Sequence, residues 1–347
     1  MYTLGIETSC DETSAAVVKN GKEVLSCAIS SSLKLHKIYG GVIPEIASRA
    51  QLETITDVTD LAMREAKLNF KDINLICVTS GPGLIGSLFV GISFAKALSF
   101  GLSIPLLGVN HVKSHIYANF LNVKGASRAA KVRFPFVALV VSGGHTSLYF
   151  VGDFDRIELL GQTRDDACGE AFDKVAKILG LGYPGGPFIE KLAKNGNPNK
   201  IKFRCSDTGE ALNFSFSGIK TAVFYYVSRL AGSPVSQLSR QTGKQANRQT
   251  RDIAASFQEA AIDALIKKSF LACELKRTNR LVIGGGVVVN NRLREKFLDA
   301  AKRSGIDCLF PAKNFCMDNA AMVAGFGFQL FKKGSRSGLD LDLELSS

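Results

Sequence analysis

One pattern occurs twice in the chain: an apolar run with strand character, a short turn of small polar residues, and a second strand-like run leading back. Tyr2 to Ile6, the turn Glu7-Thr8-Ser9-Cys10-Asp11-Glu12-Thr13 and Ser14 to Lys19 make the first copy. Phe136 to Val141, Ser142-Gly143-Gly144-His145-Thr146 and Ser147 to Val151 make the second. Apolar runs of this length, bounded by turn residues, read as buried strands. Their recurrence suggests two like-built halves, and 347 residues suffice for two domains of ordinary size.

Alternation of strand and helix follows each copy. In the first half, Val24 to Ile29 continues a meander, and Pro44 opens a helix running to about Lys67. Its apolar stripe passes through Ile46, Ala50, Ile55, Val58, Leu61 and Met63. Leu75 to Thr79 is a strand that runs into Ser80-Gly81-Pro82-Gly83 and a small-residue helix, Leu84 to Phe100; Ile104 to Val109 is the next strand. In the second half, Arg156 to Leu160 is a third strand, followed by helices at about Glu170 to Leu179, Pro187 to Lys194, Ser217 to Leu230 and Arg251 to Lys276. Arg280 to Ile283 and Asp307 to Phe310 are strands flanking a helix at 291–303, and Met317-Asp318-Asn319 cap a closing helix to Lys333. Such alternation predicts an α/β protein with partly parallel sheets covered on both faces. The basic loop Lys124 to Arg133 reads as a domain junction, residues 232–250 as a mobile polar loop, and 334–347 as a frayed tail.

Hydrophobic residues make up 46% of the chain and charged residues 21%, which supplies a core and excludes global disorder. A net charge of +12 favours a polyanionic partner, nucleic acid first. Eight cysteines without a CxxC pair argue against a zinc ribbon and a disulfide framework. The N-terminus meets Glu7, Asp11 and Glu12 at once, unlike a signal peptide. Leu84 to Leu106 contains Lys96 and many Gly and Ser, so it reads as a buried helix and strand and not as a membrane span. These features together predict a cytoplasmic protein with no membrane partner.

Only four histidines occur, and two of them, His111 and His115, sit four apart after a strand-like run. On a helix that spacing stacks both imidazoles on one face, within reach of a single ion. Val112 stands where the HExxH peptidases have their basic Glu, so a metal that binds substrate fits better than a peptidase centre. Glycine-rich turns follow strands at 81–86, 142–146, 182–187 and 284–286. Glycine lets backbone approach a ligand closely and lets N–H groups hold phosphate or carboxylate oxygens. None of these turns matches a P-loop or a GxGxxG fingerprint. Four of them at strand ends in two halves resemble the sugar kinase, actin and heat-shock chaperone ATPase superfamily. That resemblance implies two like-folded lobes of the actin-like ATPase (ribonuclease H-like) type with a cleft between them.

Ten motifs in order are similar to the TsaD family of tRNA N6-adenosine threonylcarbamoyltransferases within that superfamily. They are GIETSCDET (5–13), YGGVIPEIASR (39–49), TSGPGLIGSL (79–88), NHVKSH (110–115), VSGGHT (141–146), DDACGEAFDKVAK (165–177), GYPGGP (182–187), FSFSGIKTA (214–222), GGGVVVNNRLR (284–294) and CMDNAAM (316–322). The three valines before Asn290 depart from the family's usual Ser-Ala but leave the Asn in place. The resemblance implies an N-terminal lobe at 1–125 closed by the helix at 318–333, and a second lobe at 126–317. It implies one divalent metal on His111, His115 and Asp318, iron(II) foremost, with zinc and magnesium as the other candidates. Val140, Val141, Ser142, Gly143 and Gly144 would hold an acyl-adenylate, while Asp173, Gly186 and Asn290 would fix adenosine. Glu190 reads as a ribose contact, with a solvated helix charge as the alternative. Glu12 and His145 read as polar groups acting near the transition state.

The activity so implied is transfer of a threonylcarbamoyl group from threonylcarbamoyl-AMP to the exocyclic amine of the adenosine next to the anticodon of a tRNA. The implied partners are tRNA, the like-folded paralogue TsaB and the ATPase TsaE. The absence of a GxSxG elbow or a Cys–His motif agrees with an acyl transfer that needs no protein nucleophile. Two other readings stand beside it: an ATP-dependent small-molecule kinase and a non-catalytic nucleotide-binding scaffold.

Overall fold

The computed structural model describes residues 1–123, 132–231 and 248–344. The loop at 124–133, read as a domain junction, and the loop at 232–250 lie almost wholly outside the described residues. The chain divides into two compact units: Met1–Arg133 with Asp153–Arg156 and Pro311–Ser347, and Phe134–Gly152 with Ile157–Phe310.

In the first unit, β1 (Tyr2–Glu7), β2 (Glu12–Lys19) and β3 (Glu23–Ser31) form an antiparallel meander. β4 (Leu75–Gly81) joins β1 in parallel and β5 (Leu106–Asn110) joins β4 in parallel, while β6 (Asn122–Val123) pairs with β3. The sheet order is β5-β4-β1-β2-β3-β6. Helices α1 (Leu33–His36) and α2 (Pro44–Ala66) separate β3 from β4, α3 (Ile85–Leu102) links β4 to β5, and α4 (His111–Tyr117) follows β5.

The second unit carries α5 (Cys168–Ile178), α6 (Gly185–Ala193), α7 (Ser217–Ala231), α8 (Arg248–Leu275) and α9 (Asn291–Ser304). Its strands are β7 (Phe136–Val141), β8 (Thr146–Asp153), β9 (Arg156–Gln162), β10 (Arg280–Gly284) and β11 (Asp307–Leu309). Their order is β11-β10-β7-β8-β9, with β7–β8 antiparallel and β7–β10–β11 parallel. Five strands of the first sheet, β5-β4-β1-β2-β3, repeat this arrangement, so the duplicated hairpin seeds a duplicated sheet.

Side chains alternate across a strand, and β1 shows what each face needs. Leu4 and Ile6 join Ile55 and Met63 of α2 and Ile92 of α3 in one core. Gly5 faces the other way, toward α10 (Ala320–Lys332), which returns the chain to the first unit. A Cβ at Gly5 would lie 2.2 Å from the Ala320 carbonyl oxygen, so that helix packs against bare backbone.

Three expectations change. The buried face of α2 is Ala47, Gln51, Ile55, Val58, Thr59, Ala62 and Met63, while Leu61 is exposed. Thr59 hides by donating its hydroxyl to the Ile55 carbonyl, and Gln51 by bonding the turn at 8–12 described below, so two polar residues masked the true stripe. α3 is not a buried helix. Its inner face is Ser87, Leu88, Gly91, Ile92, Ala95 and Ser99, whereas Ile85, Phe89 and Phe100 are 56%, 50% and 75% exposed. Among the described residues it alone is long and apolar enough to cross a membrane by composition, with a mean hydropathy of 1.6. The described part of the tail, 334–344, is anchored. Ser337 donates its N–H to the Leu106 carbonyl and accepts from Gly108 N, and Glu344 N bonds the Ser80 carbonyl at 2.8 Å. Leu341 and Leu343 pack on the core under β4 and β5.

Candidate metal centre and glycine-turn site

The histidine helix begins where β5 ends. Asn110 is its N-cap, accepting from Lys113 N at 3.0 Å. Both imidazoles then project from consecutive turns, and their centroids lie 4.8 Å apart at 82°. Asp318 arrives from the turn ahead of α10, where Asn319 caps the helix by accepting from Met322 N. Ala320 N bonds Ser14 Oγ on β2 and fixes that turn beside the first hairpin. One ligand atom from each of His111, His115 and Asp318 lies within 4.8 Å of the others. Asp318 Oδ1 is 3.1 Å from His115 Nε2 and 3.6 Å from His111 Nε2.

His115 is buried; its Nδ1 makes no hydrogen bond, and its Nε2 has the Asp318 carboxylate at 3.1 Å without hydrogen-bond geometry. A buried imidazole whose nitrogens make no hydrogen bond costs free energy unless something else satisfies them. A cation held with Asp318 and His111 would do so, and the charges nearby ask for one. Burial disfavours a charged His111, but the carboxylates of Glu7 and Asp318 outweigh it and push the ring up to about 9. Burial first, then Asp318 and Asp11, raises the Glu12 carboxyl to about 10. Two imidazoles and a carboxylate make a donor set suited to iron(II) or zinc, and unlike the oxygen-only shells of magnesium.

The turn carrying Glu12 is clamped from outside. The Gln51 amide nitrogen donates to the Cys10 and Glu12 carbonyls, each at 2.9 Å. Leu84 N, ahead of α3, donates to the Ser9 carbonyl at 2.8 Å. Glu7 ends β1 fully buried and accepts from Ser9 N and from Thr79 Oγ1 at 2.6 Å. Its Oε2 lies 3.0 Å from His111 Nδ1. Sequence reasoning missed Gln51, Glu7 and Thr79 because each acts on a partner far away in the chain.

In the second unit, Val140 and Val141 end β7 with their side chains in the core, so only their backbone can face a ligand. Ser142 N bonds the His145 carbonyl, and Ser142 Oγ accepts from His145 N at 3.1 Å. His145 is itself half-buried. Gly143 and Gly144 are exposed, and a Cβ at either would meet open space. Gly285 has φ +100°, and a Cβ there would sit 2.3 Å from the Val141 carbonyl, so glycine is required where this second turn lies against the first.

Asp173 on α5 accepts from Gly185 N at 2.6 Å and so anchors the start of α6; burial raises its carboxyl above the usual range despite the Gly185 and Gly186 N–H groups. Gly186 faces open space. Asn290 is the N-cap of α9, accepting from Leu293 N and donating to Gln258 Oε1 at 2.8 Å. Glu190 is not a free helix charge: its Oε1 accepts from both Asn291 N and Asn291 Nδ2 at 2.8 Å. A cavity of about 520 Å³ opens beside it, lined by Glu190, Lys194, Gln258, Glu259, Asn291 and Arg292 among others.

Comparison with known proteins points the same way as the motifs. A family model described as TsaD, tRNA N6-adenosine threonylcarbamoyltransferase, matches residues 23–325. A protein of that name from Clostridium kluyveri is 47% identical over 341 residues, 98% of this chain and 95% of the relative. One from Dictyoglomus turgidum is 47% identical over 343 residues, covering 98% and 97%. Among solved structures, HypF from T. kodakarensis superposes with a TM-score of 0.60 at 14% identity, over 95% of this chain and 48% of HypF. Full-length HypF in its phosphate- and nucleotide-bound form gives 0.59 at 12%, over 95% and 55%. These two carry the fold alone: an actin-like α/β architecture.

Proposed function

The chain belongs to the TsaD family of tRNA N6-adenosine threonylcarbamoyltransferases, and we propose that it modifies tRNA by metal-assisted acyl transfer. The donor is threonylcarbamoyl-AMP, and the acceptor is the exocyclic amine of the adenosine next to the anticodon in tRNAs reading codons that start with A. The amine nitrogen bonds the carbamoyl carbon and loses a proton, and the bond from that carbon to the phosphate oxygen breaks to release AMP. An aromatic amine is a weak nucleophile, so orienting it and stabilising charge on the carbonyl matter more than covalent catalysis.

His111, His115 and Asp318 would hold the ion, iron(II) or zinc by donor type. When bound there, the ion supplies Lewis-acid charge to a carbonyl or phosphate oxygen. Glu12, whose carboxyl burial and the charges of Asp318 and Asp11 raise in the metal-free chain, is assigned to hydrogen bonding with the charge that develops in the transition state. The backbone of Val140 to Gly144 is assigned to the adenylate's anionic oxygens. His145, on the same turn, is the second polar group near the reaction. Asp173, Gly186, Glu190 and Asn290 are assigned to the nucleoside; Glu190 and Asn290 bond α9 already, so they act as a preset frame. The observation that carries the reading is the convergence of one ligand atom each from buried His111, buried His115 and Asp318 within 4.8 Å, in a chain matched to this family almost end to end.

The exposed apolar face of α3 supports a partner chain, which we take to be the like-folded TsaB, with the ATPase TsaE assisting turnover in the cytoplasm. Metal analysis of the purified protein tests the centre: one equivalent of iron or zinc in wild type and under a tenth of that in a His111→Ala, His115→Ala double variant. Full retention in the double variant would reject it.

A further inference from the structure

We propose that Glu7 is the positioning residue of the metal centre, holding the Nδ1–H of His111 so that Nε2 is the nitrogen given to an ion shared with Asp318 and His115. This rests on reading those three residues as a metal site. A metal takes the lone pair of one ring nitrogen, and the hydrogen bond made by the other nitrogen decides which tautomer is available.

The surroundings of Glu7 leave little freedom. It follows Gly5 in the alternation of β1 and therefore points to the face that α10 covers, away from Leu4 and Ile6. Its Oε1 accepts from Ser9 N, a backbone donor that cannot turn round. Its Oε2 accepts from Thr79 Oγ1 at 2.6 Å and lies 3.0 Å from His111 Nδ1. Every group around this carboxylate can act as a donor, and a buried carboxylate is an acceptor on all sides. Ser9 Oγ also lies 3.1 Å from Nδ1. A hydroxyl can donate or accept, so it tolerates either tautomer and selects neither.

Replacement by glutamine is therefore worse than its shape suggests. The Ser9 N–H keeps the amide oxygen on its side, which turns the NH2 toward Thr79 and His111. An NH2 there donates to Nδ1, moves the ring proton to Nε2 and blocks the ligand lone pair. Alanine leaves a space that water fills, and water can accept from Nδ1–H.

The test is cobalt(II) affinity of the full chain, read from its visible ligand-field absorption, together with thermal unfolding of the metal-free protein. Glu7→Gln should bind cobalt about 10- to 100-fold more weakly than wild type, and more weakly than Glu7→Ala, although Glu7→Ala unfolds at the lower temperature. In zinc-loaded protein labelled with 15N-histidine, wild type should show a slowly exchanging Nδ1–H on His111 that Glu7→Gln lacks. Ser9→Ala keeps the test decisive if Glu7→Gln folds poorly, because it should change cobalt affinity by less than about threefold. Glu7→Gln binding cobalt as tightly as wild type, or more tightly than Glu7→Ala, would overturn the proposal. So would a loss of about tenfold or more in Ser9→Ala, which would assign the role to Ser9. Wild type failing to bind cobalt at all would instead remove the metal-site reading beneath it.

Discussion

At the scale of single residues, the candidate metal centre combines proposed ligands that the sequence advertises with supports that it hides. His111 and His115 are visible because both sit on one short helix, and a spacing of four is itself geometric information. Asp318 came only through the family resemblance, since no local period links it to a helix some two hundred residues earlier. Glu7 and Gln51 were invisible: each looks like an ordinary polar residue until the sheet brings its partners in. We expect His111→Ala, His115→Ala and Asp318→Ala each to lose bound metal and transferase activity together, by at least about 10-fold, measured by metal analysis beside nucleoside assay. Glu12 gives a prediction in pH. Its carboxyl is raised from 4.5 to about 10 in the fold and ionises freely once unfolded. The metal-free native state therefore loses stability from near pH 4.5 upward, by at most about 1.4 kcal/mol per pH unit from this group. Glu12→Gln removes that loss, so the variant should gain on wild type between pH 5 and pH 8 in denaturant titrations. A gap that shrinks as pH rises would contradict the assignment.

At the scale of elements, the longer strands and helices were legible to within a few residues because their apolar runs and caps are local signals, whereas the short α1 and β6 carried no such signal. Faces were harder. In α2 the polar Gln51 and Thr59 turn inward by finding carbonyl partners, so a stripe drawn from hydrophobicity alone selected Leu61 and missed both. In α3 nearly every residue is apolar or small, so composition could not say which side meets the core; only packing of Gly91 and Ala95 on the inner side does. The tail reads as polar, yet Leu341 and Leu343 find the core and its backbone bonds β5. Two substitutions probe these packings. Gly5→Ala should cost about 1–3 kcal/mol in denaturant unfolding, since its methyl meets the Ala320 carbonyl. Phe89→Asp, on the exposed side of α3, should change the chain's own stability by under about 0.5 kcal/mol while abolishing co-purification with the like-folded partner. Retained pairing would move the interface elsewhere.

At the scale of the whole molecule, a repeated α/β unit carries the candidate metal centre in one copy and the candidate nucleotide-binding turns and helix caps in the other. The net charge of +12 belongs to this scale as well. It predicts a tRNA affinity that falls steeply with salt, because each phosphate neutralised releases counterions; a dissociation constant unchanged from 50 to 200 mM salt would make the charge incidental. The central claim is acyl transfer to tRNA by a chain whose metal centre is intact. The measurement that tests it most directly is mass spectrometry of nucleosides from tRNA incubated with threonylcarbamoyl-AMP, the partner proteins and this chain. The account predicts threonylcarbamoyl-adenosine with wild type, and less than about a hundredth as much with the His111→Ala, His115→Ala double variant. Equal modification by both proteins, or unmodified adenosine with wild type under conditions where it phosphorylates a small molecule from ATP, would contradict it.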